Sequence, residues 1–346
     1  MKKLQNVYSI KVANFNPSTG SDLNKPRMQR SLLIFENSIK SRFTKREYKH
    51  RLKTFLKFTG IEDYDTLASL DSDSIQSFLE DYILDMKVRG LKSVTIKNYL
   101  SGPKLFFDMN RKFYHRKILA KMIPEMEKEG NDKPYTTDDI KVMLDTTTIK
   151  RTKAMIHFFA STGARPNVLE DPVLRLRHLH DMPMGCKAVF LYEGSREEYW
   201  AFLTPEATIS LEEYMEERRQ ARESITPESP LFANRLSRFT KSGHLSTTSS
   251  REIMSNLIKK AGIVRFKTGE RFDKAAIYGF RKRFNTTLKT NNSINYNIAE
   301  KLMAHKNGLD GVYLKPTREQ CFAEFIKAIP DLTIFPEKTI LVQNQS

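Results

Sequence analysis

The spacing of the apolar residues most limits how this chain can fold. Between residues 41 and 127 apolar side chains recur at steps of three and four, the period of an amphipathic helix. The period changes once, within residues 188–203, where apolar positions such as Val189 and Leu191 recur at every second residue around the turn EGSREE. Helical periods return from Pro205 onward. We therefore predict a mainly α fold with one small β-hairpin or sheet.

Length and the placement of polar segments predict two domains. The chain has 346 residues, more than one domain usually contains, and the polar segment EKEGNDKPYTTDD divides it. Within the first of these domains, Gly102 and Pro103 mark an expected break or kink in the helix predicted for SVTIKNYLSGPKLFFDMN. We expect a flexible N-terminal arm over residues 1–35, a helical domain over 36–127, a linker over 128–134, a second mostly α domain over 135–335 and a tail over 336–346.

The charge of the chain favours a polyanionic partner. The formal net charge is +17 and the isoelectric point is near 9.6. Such a protein attracts nucleic acid, and its basic residues are too dispersed to form one cationic amphipathic helix for a membrane surface. A merely soluble basic protein remains an alternative at this point. No apolar run approaches the roughly 20 residues that cross a bilayer, so we expect a cytoplasmic, nucleoid-associated protein without a membrane partner.

Motif content argues against metal and nucleotide chemistry. Cys186 and Cys321 are the only cysteines, too few for a disulfide framework or a zinc site, and we expect both to be packed thiols. The sequence contains no GKS/T phosphate loop, no HExxH and no acidic cluster typical of two-metal nucleases. We predict neither a metal nor a cofactor.

Three segments of the predicted second domain place arginine, histidine and tyrosine in a fixed order. Arg165 lies in STGARPNVLED, Arg281 in IYGFRKRFNTTL, and His305 and Tyr313 in AEKLMAHKNGLDGVYLKP. A guanidinium stays protonated and offers a planar fork to two phosphate oxygens, which suits the charge that develops when phosphorus is attacked. A tyrosine can form the covalent bond to phosphorus. The order predicts covalent chemistry on a DNA phosphodiester.

These segments resemble the boxes of the tyrosine recombinases, also called phage-type integrases, from about Ser41 to Pro330, as in an archaeal or viral-like integrase. The resemblance implies that Arg165 and Arg281 clamp the scissile phosphate and that His305 hydrogen-bonds one of its oxygens. It implies that Tyr313 forms a 3′-phosphotyrosyl link and releases a 5′-hydroxyl. It further implies a clamp of a core-binding and a catalytic domain around double-stranded DNA, with self-assembly to a dimer or tetramer there.

Two positions depart from the family pattern. Tyr278 stands where the family has a histidine three residues before the second arginine. The hairpin turn carries Arg196 where the family has a lysine that protonates the leaving oxygen, and an arginine hardly gives up its proton. Lys187, on the strand before the turn, is the reserve candidate for that acid.

Several basic residues are expected phosphate contacts. The segments FTKREYKHRLKTFLKF and VRGLKSVTIKNYLSGPKLFF resemble the core-binding domain that accompanies such catalytic domains. A solvated outer face of a helical bundle is the alternative for each position. The expected contacts are Lys45, Arg46, Lys49, Arg51, Lys53, Lys92, Lys97, Lys104, Lys282 and Arg283.

The predicted function is site-specific strand exchange that integrates or excises a mobile or viral element. Two other functions remain open, namely a type IB topoisomerase that nicks and reseals, and a catalytically silent DNA-binding regulator of the same fold. The segment PTREQCFAEFIKAIPDLTIF after the tyrosine is expected to form a helix that docks on its own domain or on a neighbouring protomer.

Overall fold

A computed structural model of the chain describes residues 29–125, 132–234, 243–268, 271–305 and 313–336. Two compact units are present, and they divide between residues 128 and 129. Helices dominate both, and the second unit also contains a small antiparallel sheet, so the predicted mainly α fold class is confirmed. None of the helices within the described ranges is both long and apolar enough to cross a bilayer.

The first unit is built from short helices whose ends follow local sequence rules. Ser41 Oγ accepts a hydrogen bond from the Thr44 amide at the start of the second helix, and Gly60 ends that helix with a left-handed φ of 71°. Asp71 caps the fourth helix in the same way. The helices are α1 (Arg30–Asn37), α2 (Arg42–Thr59), α3 (Tyr64–Ser69), α4 (Ser72–Val88), α5 (Ser93–Met109) and α6 (Arg116–Met122).

The helix α5 does not break at Gly102 and Pro103, which excludes the break of the two predicted alternatives, a break or a kink. It continues through both residues to Met109. A Cβ on Gly102 would lie 2.6 Å from the Tyr48 carbonyl oxygen and 2.9 Å from the Leu52 amide nitrogen, both on α2. The glycine therefore serves the close approach of two helices, and the proline omits one backbone hydrogen bond without ending the helix.

Residues 30–35, predicted as the end of a flexible arm, belong to a packed helix. Residues 1–28 lie outside the described residues, but α1 already begins at Arg30. The Ser31 amide donates to Asp65 Oδ1 at 2.9 Å, and Phe35 is completely buried with its ring 6.1 Å from that of Phe106. A helix of two turns is too short to show a lasting period in sequence.

The second unit surrounds its sheet with helices. Strand β2 pairs with both neighbours, and the register sets Leu191 opposite Tyr199 and Lys187 opposite Leu203. The predicted hairpin is β2 and β3, to which β1 adds a third strand. The elements are α7 (Thr137–Thr146), α8 (Lys150–Thr162), β1 (Leu179–Asp181), β2 (Lys187–Leu191), β3 (Tyr199–Leu203), α9 (Pro205–Gln220), α10 (Thr247–Lys260), β4 (Lys267–Thr268), β5 (Arg271–Phe272), α11 (Tyr278–Thr290), α12 (Tyr296–Leu302) and α13 (Arg318–Leu332).

The last described helix, α13, packs on its own unit. Phe322 and Phe325 place their rings 5.3 Å from that of Phe202 on β3. Beyond the helix, the buried carboxylate of Glu206 accepts hydrogen bonds from the Ile334 amide at 2.8 Å and the Phe335 amide at 2.5 Å. Of the two docking modes expected from the sequence, the structure shows the one within the chain.

The side chain of Arg283 is part of this packing, which corrects its assignment as a DNA contact. It is only 6% exposed and donates to the Asp331 carbonyl at 2.9 Å and to Thr137 Oγ1 at 3.2 Å. Burial lowers the pKa of its guanidinium. The arginine therefore fastens α13 to α11 and α7, and its guanidinium is engaged by these contacts within the unit.

Candidate active site

Arg165 is presented by the turn that ends α8. Gly163 ends this helix with a φ of 57°, and a Cβ there would lie 2.5 Å from the ring of Phe284. Both the left-handed backbone and the ring contact require glycine. The Arg165 side chain is 29% exposed, and its Nη1 donates to Glu197 Oε2 in the hairpin turn at 3.2 Å.

Arg281 lies on α11 and joins two chain segments at the site. It is 7% exposed, and burial together with the charge of Arg165 lowers its pKa. Its Nη1 donates to the Gly163 carbonyl at 2.7 Å, and its Nη2 donates to the Met303 carbonyl at 2.6 Å. Nη2 also lies 3.0 Å from His305 Nε2. One guanidinium thus fixes the turn before Arg165 and the turn before the histidine.

His305 is held by the turn that ends α12. The Ala304 amide bonds to the Lys301 carbonyl and the His305 amide to the Glu300 carbonyl, each at 2.9 Å. Ala304 has a φ of 51°, a left-handed conformation that glycine adopts more easily than alanine. This pair of bonds is a Schellman motif, and it places the imidazole beside Arg281.

The contacts of His305 define its protonation. Because arginine only donates, the Nε2 atom facing Arg281 must accept, so the proton lies on Nδ1, 3.0 Å from Glu300 Oε2. Burial first and the charge of Arg281 second lower the pKa of His305, although Glu300 opposes them. Burial raises the pKa of Glu300, but its contacts with Lys289 and His305 prevail and hold it below its ordinary value. The imidazole is therefore neutral near pH 7.

The neutral histidine predicts a pH dependence of stability. With the folded pKa below the unfolded value of about 6.5, the unfolded chain binds a proton first as the pH falls, and stability is lost in that window. We expect urea unfolding midpoints to drop more between about pH 7 and pH 5 for the wild type than for His305→Gln. Burial also lowers the pKa of His178, but this residue is present in both proteins, so its contribution to the pH dependence cancels in the comparison. Equal slopes would contradict a neutral His305.

Tyr313 directly precedes three residues that line a cavity containing His305. The Tyr313 side chain is 78% exposed. The three residues that follow it, Leu314 to Pro316, line a cavity of about 520 Å³ together with His305, Arg196 and Glu197. Residues 306–312, which connect His305 to the tyrosine, lie outside the described residues.

The remaining candidates divide into two near the site and one away from it. Tyr278 begins α11, one turn before Arg281, and is 42% exposed. Arg196 is exposed and lines the same cavity as His305. Lys187 lies at the opposite end of the hairpin from the turn, where its Nζ contacts Asp181 at 2.6 Å and Glu212 at 3.3 Å. The structure does not bring Lys187 to the other candidates.

Known proteins resemble this chain in structure but not in sequence. No protein-family model matches the sequence, and no curated protein matches it. The integrase of transposon Tn1549, solved as a fragment of residues 82–397 in complex with transposon right end DNA, is 16% identical, with a TM-score of 0.58 over 86% of this chain and 98% of that fragment. The XerH site-specific recombinase, in a post-cleavage complex with palindromic difH substrate, is 18% identical, with a TM-score of 0.54 over 77% of this chain and 74% of the XerH chain.

The chain has the fold of the tyrosine recombinases. Within this recombinase fold, two site residues escaped sequence reasoning. Glu300 orients His305, and the only pattern that could have indicated it is an acidic residue five positions before a histidine at a helix end. Tyr199 opens β3 beside the arginines, where a strand-forming residue attracts no attention.

The basic residues proposed for DNA differ in exposure across the recombinase fold. Lys45, Lys49 and Lys53 recur every four residues and share one face of α2. Arg51 donates to Ser101 Oγ at 2.9 Å, and Lys282 pairs with Asp132 at 2.7 Å. The exposed members are Arg46, Lys49, Lys53 and Lys97, and the half-buried members are Lys45, Arg51, Lys92, Lys104 and Lys282.

Proposed function

We propose that this chain is a site-specific DNA recombinase of the integrase type that breaks and rejoins DNA through a 3′-phosphotyrosyl link to Tyr313. The observation that carries the proposal is the convergence of Arg165, Arg281 and His305. Arg281 donates to the histidine, and Arg165 pairs with a carboxylate of the cavity that the histidine lines. The rim of that cavity continues into the residues directly after Tyr313.

The proposed reaction conserves the energy of one phosphodiester. The phenolic oxygen of Tyr313 bonds to phosphorus while the bond to the 5′ oxygen breaks; the phenol loses a proton and the 5′ oxygen gains one. Arg165 and Arg281 counter the negative charge on the non-bridging oxygens. Attack by a second 5′-hydroxyl reverses the step, so no nucleotide is consumed. Arg196 can stabilise the leaving oxygen by its charge but does not supply its proton.

The proposed partner is double-stranded DNA. The net charge of +17 and the lysine face of α2 would provide salt-dependent affinity for its backbone. Tn1549 integrase is described in complex with a transposon end and XerH with difH, and both support DNA as the substrate. We propose assembly to a dimer or tetramer on DNA, in the service of a mobile or viral element.

Trapping the covalent adduct tests this function. The wild type is incubated with a library of nicked duplexes of randomised sequence, in which cleavage near the nick releases a short 5′-hydroxyl fragment that diffuses away. We expect a covalent protein–DNA species whose modified peptide contains Tyr313 and whose DNA shares a sequence. Absence of any adduct would favour a silent DNA-binding regulator. Relaxation of supercoiled circles regardless of sequence would favour a type IB topoisomerase.

The pair between Arg165 and Glu197 predicts a faster variant. The Glu197 carboxylate accepts a hydrogen bond from the Arg165 guanidinium, which the phosphate must contact. The same carboxylate also repels the negatively charged phosphate. We expect Glu197→Gln to raise the rate of adduct formation about two- to fivefold, the range for loss of an exposed ion pair. Glu198→Gln is the control, since Glu198 accepts from the Gly194 amide at 3.0 Å and does not contact Arg165 in the structure. A slower Glu197→Gln variant would show that the carboxylate orients Arg165 instead.

A further inference from the structure

Tyr199 carries a buried hydroxyl whose proton finds no acceptor in the described parts of the chain. The residue opens β3, and its ring stacks on that of Tyr192 with centroids 6.3 Å apart. The Tyr192 hydroxyl donates to Asn167 Oδ1 at 2.7 Å. The Tyr199 hydroxyl is inaccessible to water, and no described residue accepts its proton. Folded proteins seldom leave such a group unpaired because its lost hydration is not replaced.

The surroundings of this hydroxyl belong to the candidate active site. Tyr199 lines the cavity that also contains His305 and Arg196. Burial raises the pKa of Tyr199 to about 12, and this rise is opposed by the positive charges of Arg281 and Arg165 and by a hydrogen bond that Arg281 donates to the phenolic oxygen. The phenol is therefore protonated at neutral pH and lies within the field of both arginines.

The missing partner must be an acceptor. Arginine has only donors, so neither Arg281 nor Arg165 can receive the proton of the Tyr199 hydroxyl. An ionised phosphodiester has only acceptors at its non-bridging oxygens. Of the two guanidinium groups that would hold a phosphate, Arg281 lies within hydrogen-bonding reach of the hydroxyl, and the charge of Arg165 also acts on it. A bound phosphate would complete the hydrogen bonding of all three side chains.

We propose that Tyr199 is a further substrate-contacting residue, whose hydroxyl donates a hydrogen bond to a non-bridging oxygen of the scissile phosphate beside Arg165 and Arg281. This inference rests on the proposed function and adds to it a third, uncharged donor. The hydroxyl keeps its proton throughout, so it neither attacks phosphorus nor protonates the leaving oxygen. A preorganised donor of this kind strengthens its bond as charge gathers on the phosphate oxygens.

The test compares Tyr199→Phe with a matched control. Tyr82→Phe removes another buried hydroxyl whose proton lacks an acceptor among the described residues, in the first unit and outside the site. The readouts are the rate of adduct formation on the nicked-duplex library and the shift in melting temperature caused by inorganic phosphate without DNA. Melting temperatures without phosphate report any damage to the fold.

We expect Tyr199→Phe to melt no lower than the wild type, to form adduct about 100-fold more slowly and to lose part of the phosphate-induced shift. Tyr82→Phe should match the wild type in both. A Tyr199→Phe variant equal to the wild type in adduct rate and phosphate shift would overturn the inference.

The outcomes also separate this inference from the proposed function. If the wild type forms no adduct but its phosphate shift depends on the Tyr199 hydroxyl, recombination fails while the phosphate contact stands. If the wild type shows neither adduct nor phosphate shift, both fail.

Discussion

Tyr313→Phe should abolish covalent adduct formation, by more than about 10⁴-fold, while DNA affinity stays within about twofold of the wild type. The substitution removes the one oxygen that would bond to phosphorus and leaves the ring. Since the side chain is 78% exposed, its hydroxyl contributes little to folding, and the melting temperature should not change. Denaturing gel electrophoresis after reaction with a nicked duplex measures the adduct, and an electrophoretic mobility shift measures the affinity.

Tyr296→Phe is the matched control for this experiment. Tyr296 is a nearby tyrosine, 57% exposed, at the start of α12. Removing the Tyr296 hydroxyl by this substitution should leave the rate of adduct formation unchanged. Adduct formation that survives in Tyr313→Phe and disappears in Tyr296→Phe would transfer the nucleophile to the other residue and contradict the proposed roles.

Arg281→Lys and Arg283→Lys should separate chemistry from stability. Both arginines are buried on α11, two residues apart, but Arg281 bonds to Gly163, Met303 and His305 whereas Arg283 bonds to the end of α13. A lysine offers one compact charge where the planar fork reaches several acceptors. We expect Arg281→Lys to slow adduct formation about 10³-fold, the scale on which loss of a preorganised charge donor lowers rates.

Arg283→Lys should instead lower the free energy of unfolding, by about 2 to 4 kcal/mol, because the buried ammonium satisfies fewer of the carbonyls that the guanidinium bonds. Its adduct rate, measured well below the melting temperature, should stay within about threefold of the wild type. Urea unfolding and single-turnover adduct kinetics on both variants give the comparison. Equal losses of rate in the two variants would mean that Arg281 acts through the fold alone.

Local chemistry explains why much of the fold was predictable. Ser41, Asp71 and Gly60 occupy the helix ends that their side chains and backbone favour, a preference that depends only on neighbouring residues. The alternation around the hairpin likewise depends only on residues within the two strands. Gly102 misled the prediction because its role depends on α2, some 50 residues earlier in the chain.

The candidate site was predictable where chemistry restricts the residue type. Arg165, Arg281 and His305 stand in ordered segments, and the structure brings them together. The prediction of Arg283 as a DNA contact was wrong, because the sequence does not show which basic residue of RKRF will contact a helix 48 residues away. Glu300 and Tyr199 act through neighbours that only the folded chain supplies.

The docking of α13 limits how far the nucleophile can travel. Tyr313 lies five positions before Arg318, the first residue of that helix, and an extended chain advances at most about 3.5 Å per residue. Its backbone therefore stays within about 18 Å of an anchored point. Such a tether sets the local concentration of the phenol at its pocket by chain length, and dilution of the protein does not change it.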